Sequence, residues 1–216
     1  MRVWYRGWQY AAQVAFSAYF NIRVLGRENV PLQGPVLLVS NHQSYLDPVL
    51  CGIGLDRELD YIARDNLFKN RPFAWYIRSL NAFPLQRGQA DISAIRTIVD
   101  RLRQGRAVLL FPEATRTQDG RISLIKGGFE LIARRGGATT VPVVIDGAFE
   151  AWPRHQRLMS MGQIKVMYGP AITVQQVGEM GRQDFVNRIN QQLRRMQNQL
   201  RRRYGKRTYN YSTELD

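Results

Sequence analysis

The chain has 216 residues, 44% of them hydrophobic, a composition that excludes a disordered protein and suffices for one domain with a substantial core. A single cysteine excludes an internal disulfide, and together with only two histidines it leaves little material for a zinc site. The 31 lysine and arginine residues outnumber the 17 aspartate and glutamate residues, and the net charge of +14 predicts anionic partners such as nucleic acid, acidic lipid headgroups or phosphorylated substrates.

The first 25 residues are rich in tryptophan, tyrosine and phenylalanine, and no charged residue lies between Arg6 and Arg23. A membrane-spanning helix requires about 20 mostly apolar residues, and this segment is too short and too polar for that. It is also a poor signal peptide, because its apolar part is mixed and no clear cleavage site follows. Aromatic rings beside arginine suit the membrane interface, so we expect residues 1–25 to form an interfacial amphipathic helix. The alternative is an ordinary amphipathic helix that packs on the domain.

An apolar run at 36–39 predicts a buried strand, and it leads into a polar turn that contains His42. Asp47 follows five positions later, an offset that would place the two side chains about 140° apart in a regular helix. Turn-forming residues flank His42, however, and Pro48 disfavours the helical conformation for Asp47. We therefore predict that the Asp47 carboxylate reaches the imidazole, fixes its tautomer and leaves the other ring nitrogen free as a general base. The alternative is a loop histidine beside a helix-capping aspartate.

The remaining elements alternate between strands and helices along the chain. Apolar periodicity predicts strands at 59–63, 81–85, 107–111, 141–145 and 164–168, and helices at 48–55, 68–80, 91–104, 127–135 and 183–204. Pro142 suits an edge strand or a strand start. The last helix has an apolar stripe, and its opposite face consists mainly of glutamine, asparagine and arginine. The alternation predicts an α/β protein whose central sheet, mixed or mostly parallel, is flanked by helices.

We expect a single domain, because no linker or repeat divides the chain. Its catalytic part is predicted at 26–181, after the interfacial segment and before a basic amphipathic helix at 182–207 that belongs to the same domain. A second polar motif, Phe-Pro-Glu-Ala-Thr-Arg at 111–116, directly follows a predicted strand, as the His42 turn does. Because sites in α/β sheets gather beyond the carboxyl ends of the strands, we expect both motifs at the same edge.

Three cations near these motifs are candidate ligands for a phosphate group. Arg116 offers two parallel donors, and Lys126 lies beside glycines at a predicted helix start, where backbone N–H groups and the helix dipole also favour an anion. Arg87 is the third candidate. Glu113 could orient Arg116 or hold the loop, and its simplest role is a structural ion pair. As a lone residue, each cation is better explained as a solvated surface charge.

Together the motifs resemble those of the glycerolipid acyltransferases, the family that includes 1-acylglycerol-3-phosphate acyltransferase. The family's Asn-His-x-x-x-x-Asp motif matches at 41–47, and its Phe-Pro-Glu-Gly-Thr-Arg motif matches at 111–116 with Ala114 in place of the glycine. Shorter matches occur at Phe83 and Arg87 and in the Val-Pro-Val strand around Pro142. The resemblance extends over residues 30–150. If the glycine position needs a positive φ, alanine is costly there.

The resemblance implies transfer of a fatty acyl group from acyl-CoA or acyl-carrier protein to the free hydroxyl of a lysophospholipid. The leading acceptor is 1-acylglycerol-3-phosphate, which would give phosphatidic acid. The site residues that it implies are His42 and Asp47 for catalysis and Arg87, Glu113, Thr115 and Arg116 for substrate binding; Lys126 is added to the binding residues because of its position at the predicted helix start. It also implies that no metal or other cofactor takes part, and that the enzyme resides at the cytoplasmic face of the membrane with anionic lipid as a partner.

Three alternatives stay open. With water as the acceptor the same site would be a thioesterase, and another headgroup would make it an acyltransferase for a different lysolipid. The positive charge and the arginine-rich last helix also fit a nucleic-acid-binding protein, but the chain contains no recognisable reading element, so we expect no nucleic-acid partner. The competing base is His155, which lies in a basic, turn-like segment, and we predict that it is a surface residue.

Overall fold

The computed structural model of the protein describes residues 1–85, 92–125 and 127–211. Its helices are α1 (Val3–Tyr19), α2 (Asp47–Ile53), α3 (Arg71–Ser79), α4 (Ile92–Arg103), α5 (Phe129–Gly136), α6 (Ala148–Ala151), α7 (Val174–Glu179) and α8 (Arg182–Arg203). Its strands are β1 (Phe20–Leu25), β2 (Val36–Ser40), β3 (Leu59–Arg64), β4 (Ala82–Leu85), β5 (Ala107–Leu110), β6 (Thr139–Asp146) and β7 (Gly162–Tyr168). Short 3-10 turns lie at Arg27–Asn29 and Asp65–Phe68.

The seven strands form one sheet in the order β1-β7-β6-β2-β5-β3-β4. The five strands from β6 to β4 run parallel to one another. β7 runs antiparallel to β6, and β1 runs parallel to β7. The predicted α/β fold with a mixed, mostly parallel sheet is therefore confirmed.

Helices cover both faces of the sheet, which explains why the central strands are almost wholly apolar. In β2, Val36 and Leu38 pack in one core cluster with residues of α1, α2 and α6. Leu37 and Val39 pack in a second cluster with residues of α4, α5, α7 and α8. Successive side chains of β2 thus point to opposite faces, and α1 and α8 lie on opposite sides of the sheet.

The expected helix throughout residues 1–25 is wrong at its end. α1 ends at Tyr19, and Phe20–Leu25 form β1, which pairs with β7 at the edge of the sheet. In β1, every second side chain packs in the core, namely Phe20, Ile22 and Val24. This period of two is hard to recognise in the sequence because it follows the helical pattern of α1 without a break. No helix in the described ranges is long and apolar enough to cross a membrane.

The expectation of an edge position for Pro142 is also wrong, because β6 lies between β2 and β7. The proline is tolerated because β7 has already ended there: the last antiparallel pair is Val143 with Tyr168. The Pro142 carbonyl instead accepts a hydrogen bond from the backbone N–H of Gly169 at 2.8 Å. The missing N–H of proline therefore falls where the ladder is already interrupted.

Candidate active site

The predicted contact between His42 and Asp47 is present. Residues 41–44, after β2, have no regular structure, and the imidazole Nδ1 lies 2.7 Å from Oδ2 of Asp47. The same carboxylate oxygen accepts hydrogen bonds from the backbone N–H groups of Gln43 at 2.5 Å and Ser44 at 2.8 Å. The expectation that Pro48 would keep Asp47 out of a helix is wrong, since α2 begins at Asp47 and takes the proline in its first turn.

Asp47 is fully buried, and its charge state follows from two opposing effects. Burial raises the pKa of the Asp47 carboxyl, whereas the hydrogen bonds from His42, Ser44 and Gln43 lower it. Because three donors converge on one oxygen, we assign Asp47 as a carboxylate that accepts the Nδ1–H of His42. Nε2 of the partly exposed imidazole is then the nitrogen that can accept a proton.

Hydrogen bonds from distant parts of the chain fix the turn that carries His42. The Asn41 side chain donates to the carbonyl of Ile145 at 2.9 Å and accepts from its N–H at 2.8 Å. Gln43 donates to the Gly120 carbonyl at 3.0 Å, and the Ser44 hydroxyl donates to the carbonyl of Trp152 at 2.9 Å. Sequence reasoning missed Gln43 and Ser44; the signal available was a run of polar residues directly after a buried strand.

The second motif lies against the first, as expected for loops that follow the neighbouring strands β2 and β5. The ring of Phe111 stacks on the imidazole of His42 with centroids 4.3 Å apart. The N–H of Thr117 donates to the His42 carbonyl at 2.8 Å. Oε1 of Glu113 accepts the His42 backbone N–H at 2.9 Å, and Oε2 accepts the N–H of Ser123 at 3.1 Å.

Glu113 therefore holds the loop, which was one of the roles considered for it. Its carboxylate joins the second motif, in which it lies, to the His42 N–H of the first motif and to the N–H of Ser123 farther along the chain; across residues 1–85, 92–125 and 127–211 no ion pair of Glu113 is found. Burial raises the pKa of Glu113 to about 7, although the hydrogen bonds from His42 and Ser123 oppose the shift. This link between the motifs consequently titrates near neutral pH.

Arg116 is the one of the three candidate cations that lies within the described residues, and it ends the second motif, next to Thr117, whose N–H donates to the His42 carbonyl. Its side chain is only 8% exposed, and its guanidinium carbon lies 3.4 Å from the ring centroid of Tyr45. Arg116 lowers the pKa of the Tyr45 hydroxyl through hydrogen bonding and charge. Nη1 of Arg116 is buried without a hydrogen-bond partner in the described part of the chain. A buried guanidinium donor of this kind is costly unless an anion accepts from it.

The remaining sequence-predicted residues are Thr115, Arg87, Lys126 and the competing base His155. Thr115 is exposed on the loop. Arg87 and Lys126 lie outside the described residues, so their roles stay predictions. His155 is exposed in the segment between α6 and β7, as predicted. Tyr45, which contacts Arg116, was missed because nothing in the local sequence connects two residues so far apart.

Ala114 occupies a backbone conformation that favours glycine. Its φ is +57°, and its N–H donates to the carbonyl of Phe111 at 3.1 Å within the turn of the second motif. The glycine of the family motif is therefore explained by the left-handed conformation that this turn requires. In this chain the β-carbon of alanine introduces strain at that position.

A family profile and two named enzymes match this chain. The profile of the family described as Acyltransferase matches residues 21–146. The 1-acyl-sn-glycerol-3-phosphate acyltransferase of Bacillus subtilis is 25% identical over 195 residues, covering 88% of this chain and 95% of that protein. A chloroplastic enzyme of the same name from Arabidopsis thaliana is 27% identical over 160 residues, which is 72% of this chain but 45% of the plant protein.

A solved structure shows the same fold. The 1-acyl-sn-glycerophosphate acyltransferase PlsC from Thermotoga maritima superposes with a TM-score of 0.78 at 25% identity, covering 91% of this chain and 79% of that one. The family profile spans more than half of the 216 residues and includes both motifs. The resemblance inferred from those motifs is confirmed, and the chain belongs to the acyltransferase family.

Proposed function

We propose that the protein transfers a fatty acyl group from a thioester donor, acyl-CoA or acyl-carrier protein, to the free hydroxyl of 1-acylglycerol-3-phosphate, giving phosphatidic acid. The observation that carries this proposal is the His42–Asp47 pair, which lies against a loop whose Arg116 has a buried donor without a partner among the residues that the structure describes. The relatives from Bacillus subtilis and Arabidopsis thaliana bear the name of this activity.

The chemistry needs a base but no enzyme nucleophile. Nε2 of His42 removes the proton of the acceptor hydroxyl as its oxygen attacks the thioester carbonyl, and Asp47 stabilises the resulting imidazolium. When the tetrahedral intermediate collapses, the carbon–sulfur bond breaks and the imidazolium returns the proton to the leaving thiolate. Positioned base catalysis of this kind contributes about 10²- to 10⁴-fold, so orientation and oxyanion stabilisation must supply the rest. No cofactor is required by this scheme.

Arg116 is the proposed ligand of the acceptor phosphate. Its buried Nη1 would gain an anionic acceptor, and a guanidinium can bind two phosphate oxygens in parallel. Arg87 and Lys126 are proposed to complete the phosphate site, and Glu113 and Thr115 to shape the loop that carries Arg116.

An apolar cavity beside the turn is the proposed site of an acyl chain. It has a volume of about 280 Å³ and lies between α1, α2, α3 and β3. Tyr45 and Pro48, which belong to the same turn as Asp47, contribute to its wall. A mostly apolar, concave surface beside the segment that carries the proposed base suits a substrate with a polar head and a hydrocarbon tail.

We also propose that the enzyme works peripherally at the cytoplasmic face of a membrane that contains anionic lipid. On α1, the side chains of Val3, Trp4, Tyr10 and Val14 are exposed although they are apolar. An exposed apolar stripe flanked by arginines fits the interface of a bilayer. The basic helix α8 lies on the opposite side of the sheet from α1, so a single flat membrane cannot rest on both helices along their length.

The test measures thiol release from a long-chain acyl-CoA, with and without 1-acylglycerol-3-phosphate. We expect acceptor-dependent release by the natural chain and its abolition in His42→Ala, while the control His155→Ala, which alters the exposed histidine, retains most activity. Release without acceptor would favour a thioesterase, and release with another lysolipid only would change the headgroup. Absence of release with acyl-CoA, acyl-carrier protein and every lysolipid, combined with a shift of duplex DNA at physiological salt, would favour the nucleic-acid alternative.

A further inference from the structure

The segment between α6 and β7, residues 152–161, exposes large apolar side chains next to basic ones. Leu158 is 82% exposed and Met161 is 77% exposed, and Met159 between them is also exposed. Arg154 and Arg157 are exposed on the same segment. Single apolar residues are common on protein surfaces. Three within four positions form an apolar patch, and such a patch indicates an interaction site.

This segment lies between α1, which is proposed to contact the membrane, and the turn beside the proposed acyl-chain cavity. At one side, the hydroxyl of Tyr19, the last residue of α1, donates to the carbonyl of Met159 at 3.0 Å. At the other side, the carbonyl of Trp152 accepts from the Ser44 hydroxyl at 2.9 Å. The segment therefore joins the end of α1 to the turn that carries the catalytic base.

Its position in the sheet supports the same connection. β7 is antiparallel to β6, so the start of β7 lies at the carboxyl end of β6, the edge where both motifs are found. β1 is parallel to β7, so the junction of α1 and β1 lies at this edge too, with Phe20 opposite Gly162. The Trp152 ring lies 5.3 Å from the ring of Tyr45, the residue that also contacts Arg116.

We infer that residues 152–161 form a second lipid-contact element, which inserts Leu158, Met159 and Met161 into an anionic bilayer beside the catalytic turn. This inference rests on the proposed function, since it assumes a lipid acceptor. Arg154 and Arg157 lie at the level of the headgroup phosphates and bind them, while the three apolar side chains enter the acyl region. The element places the opening of the active site against the membrane from which the acceptor comes.

Charge and chemistry favour lipid over a protein partner at this surface. Residues 152–161 contain two exposed arginines and no acidic residue, and anionic headgroups are complementary to that charge. The surface continues into the uncharged exposed stripe of α1 through the contact of Tyr19 with Met159. Acyl-carrier protein, an acidic protein partner, is the alternative occupant that the experiment separates.

The first experiment compares vesicle binding of two pairs of matched variants, all in the His42→Ala background so that catalysis plays no part. Leu158→Ser is matched by Leu32→Ser, which changes a leucine that is 67% exposed before β2, at the opposite end of the parallel strands. Arg154→Gln/Arg157→Gln is matched by Arg96→Gln/Arg135→Gln, exposed residues on α4 and α5 that lower the net charge equally.

For vesicles of phosphatidylcholine with phosphatidylglycerol we expect about tenfold weaker binding after Leu158→Ser. Loss of the two segment arginines should weaken binding by about fivefold per residue. The controls should bind within about twofold of the parent protein, since single exposed substitutions away from a binding surface have small effects. Equal losses in test and control variants would overturn the inference, as would a parent protein that fails to bind these vesicles.

A second experiment detects insertion directly. Leu158→Cys is labelled with an environment-sensitive fluorophore; the natural Cys51 is buried and burial raises the pKa of its thiol, so it stays unlabelled. We expect a blue shift of the label on addition of anionic vesicles and none for labelled Leu32→Cys. No shift at position 158 would overturn the inference, and so would a shift produced by acyl-carrier protein but not by vesicles. Neither readout depends on acyl transfer, so failure of the proposed function would be recognised separately.

Discussion

The two motifs of the site follow neighbouring strands and contact each other, but they differ in how firmly the surrounding structure fixes them. In the turn after β2, Asn41, Gln43 and Ser44 each bond to a different distant backbone segment, and the Asp47 carboxylate is completely buried. In the loop after β5, Ala114 has a positive φ, Glu113 titrates near pH 7 and Arg116 has a buried donor without a partner in the described chain.

The difference fits the roles that we propose for the two motifs. A base and its carboxylate need one geometry throughout the reaction, and redundant hydrogen bonds maintain it. A loop that receives a charged substrate can carry strain and unpaired donors, because the substrate supplies the missing partner. Substitutions in the turn should therefore reduce kcat, whereas substitutions in the loop should alter substrate KM, pH dependence or the free energy of unfolding.

The largest effect is expected from Asp47→Asn. An asparagine amide can donate to Nδ1 of His42 and so stabilise the tautomer in which Nε2 carries the proton and cannot act as a base. We expect kcat to fall by about 10²- to 10⁴-fold with little change in the acceptor KM. Steady-state kinetics with acyl-CoA and 1-acylglycerol-3-phosphate measure both quantities.

The double variant His42→Ala/Asp47→Asn is the control for this prediction. Because the two residues act as one unit, adding Asp47→Asn to His42→Ala should cost almost nothing further in kcat. If the two losses in kcat multiply, Asp47 acts on the reaction independently of His42, and the proposal that the two residues act as one unit is contradicted.

A smaller effect, and of a different kind, is expected from Arg116→Gln. Loss of charged hydrogen bonds to the phosphate should raise the acceptor KM by about ten- to a hundredfold, with a lesser change in kcat. Arg116→Lys keeps the charge but not the two parallel donors, so its KM should lie between those of the natural chain and the glutamine variant. The matched substrate is a monoacylglycerol, which lacks the phosphate. If Arg116→Gln lowers kcat/KM for the monoacylglycerol as much as for 1-acylglycerol-3-phosphate, Arg116 does not recognise phosphate.

Glu113 should make the free energy of unfolding depend on pH. Its pKa of about 7 in the folded chain lies above the ordinary 4.5, so folding favours the neutral carboxyl. The stability that this provides is complete below about pH 4.5 and is lost as the pH rises through 7, by up to about 3 kcal/mol. Urea unfolding at intervals between pH 4.5 and 8 measures the loss.

Glu113→Gln isolates this contribution because glutamine does not titrate. Glutamine can still accept the N–H of either His42 or Ser123, but not both, so the variant loses a pH-independent amount of stability. The difference between the two unfolding curves should therefore shrink as the pH rises from 4.5 to 8. A constant difference over that range would mean that the Glu113 carboxyl titrates at its ordinary pKa.

Much of the fold could be predicted from sequence because the relevant signals are local. The apolar runs of β2 and β5, and the spacing of three and four in α4, appear within single segments. β1 could not be predicted, since its alternation continues an amphipathic helix without a break. The central position of Pro142 also escaped prediction, because it depends on where a different strand, β7, ends.

The same difference between local and long-range signals applies to the residues of the site. The contact of His42 with Asp47 spans five residues and was predictable, whereas Glu113 bonds to a backbone N–H that is 71 residues away. The polar face of α8 contains Arg201, whose composition-based expectation is solvent exposure. Arg201 is buried instead, and its Nη1 lies 2.9 Å from Oδ1 of Asp146. Long-range pairs of polar groups leave no periodic signal, so the structure was needed to find them.

The smallest expected effect concerns Ala114, and its sign distinguishes strain from ordinary loop flexibility. A non-glycine residue in the left-handed region costs about 1–2 kcal/mol, and glycine adds unfolded-chain entropy worth about 0.4–1 kcal/mol. Ala114→Gly should therefore stabilise the protein by about 0.5–1 kcal/mol, measured by urea unfolding. The matched control is Ala15→Gly, the same change on the exposed face of α1, where loss of helix propensity should destabilise by about 1 kcal/mol. Destabilisation at both positions would mean that the turn does not store strain at Ala114, and the contrast between a strained loop and a fully anchored turn would then rest on Glu113 and Arg116 alone.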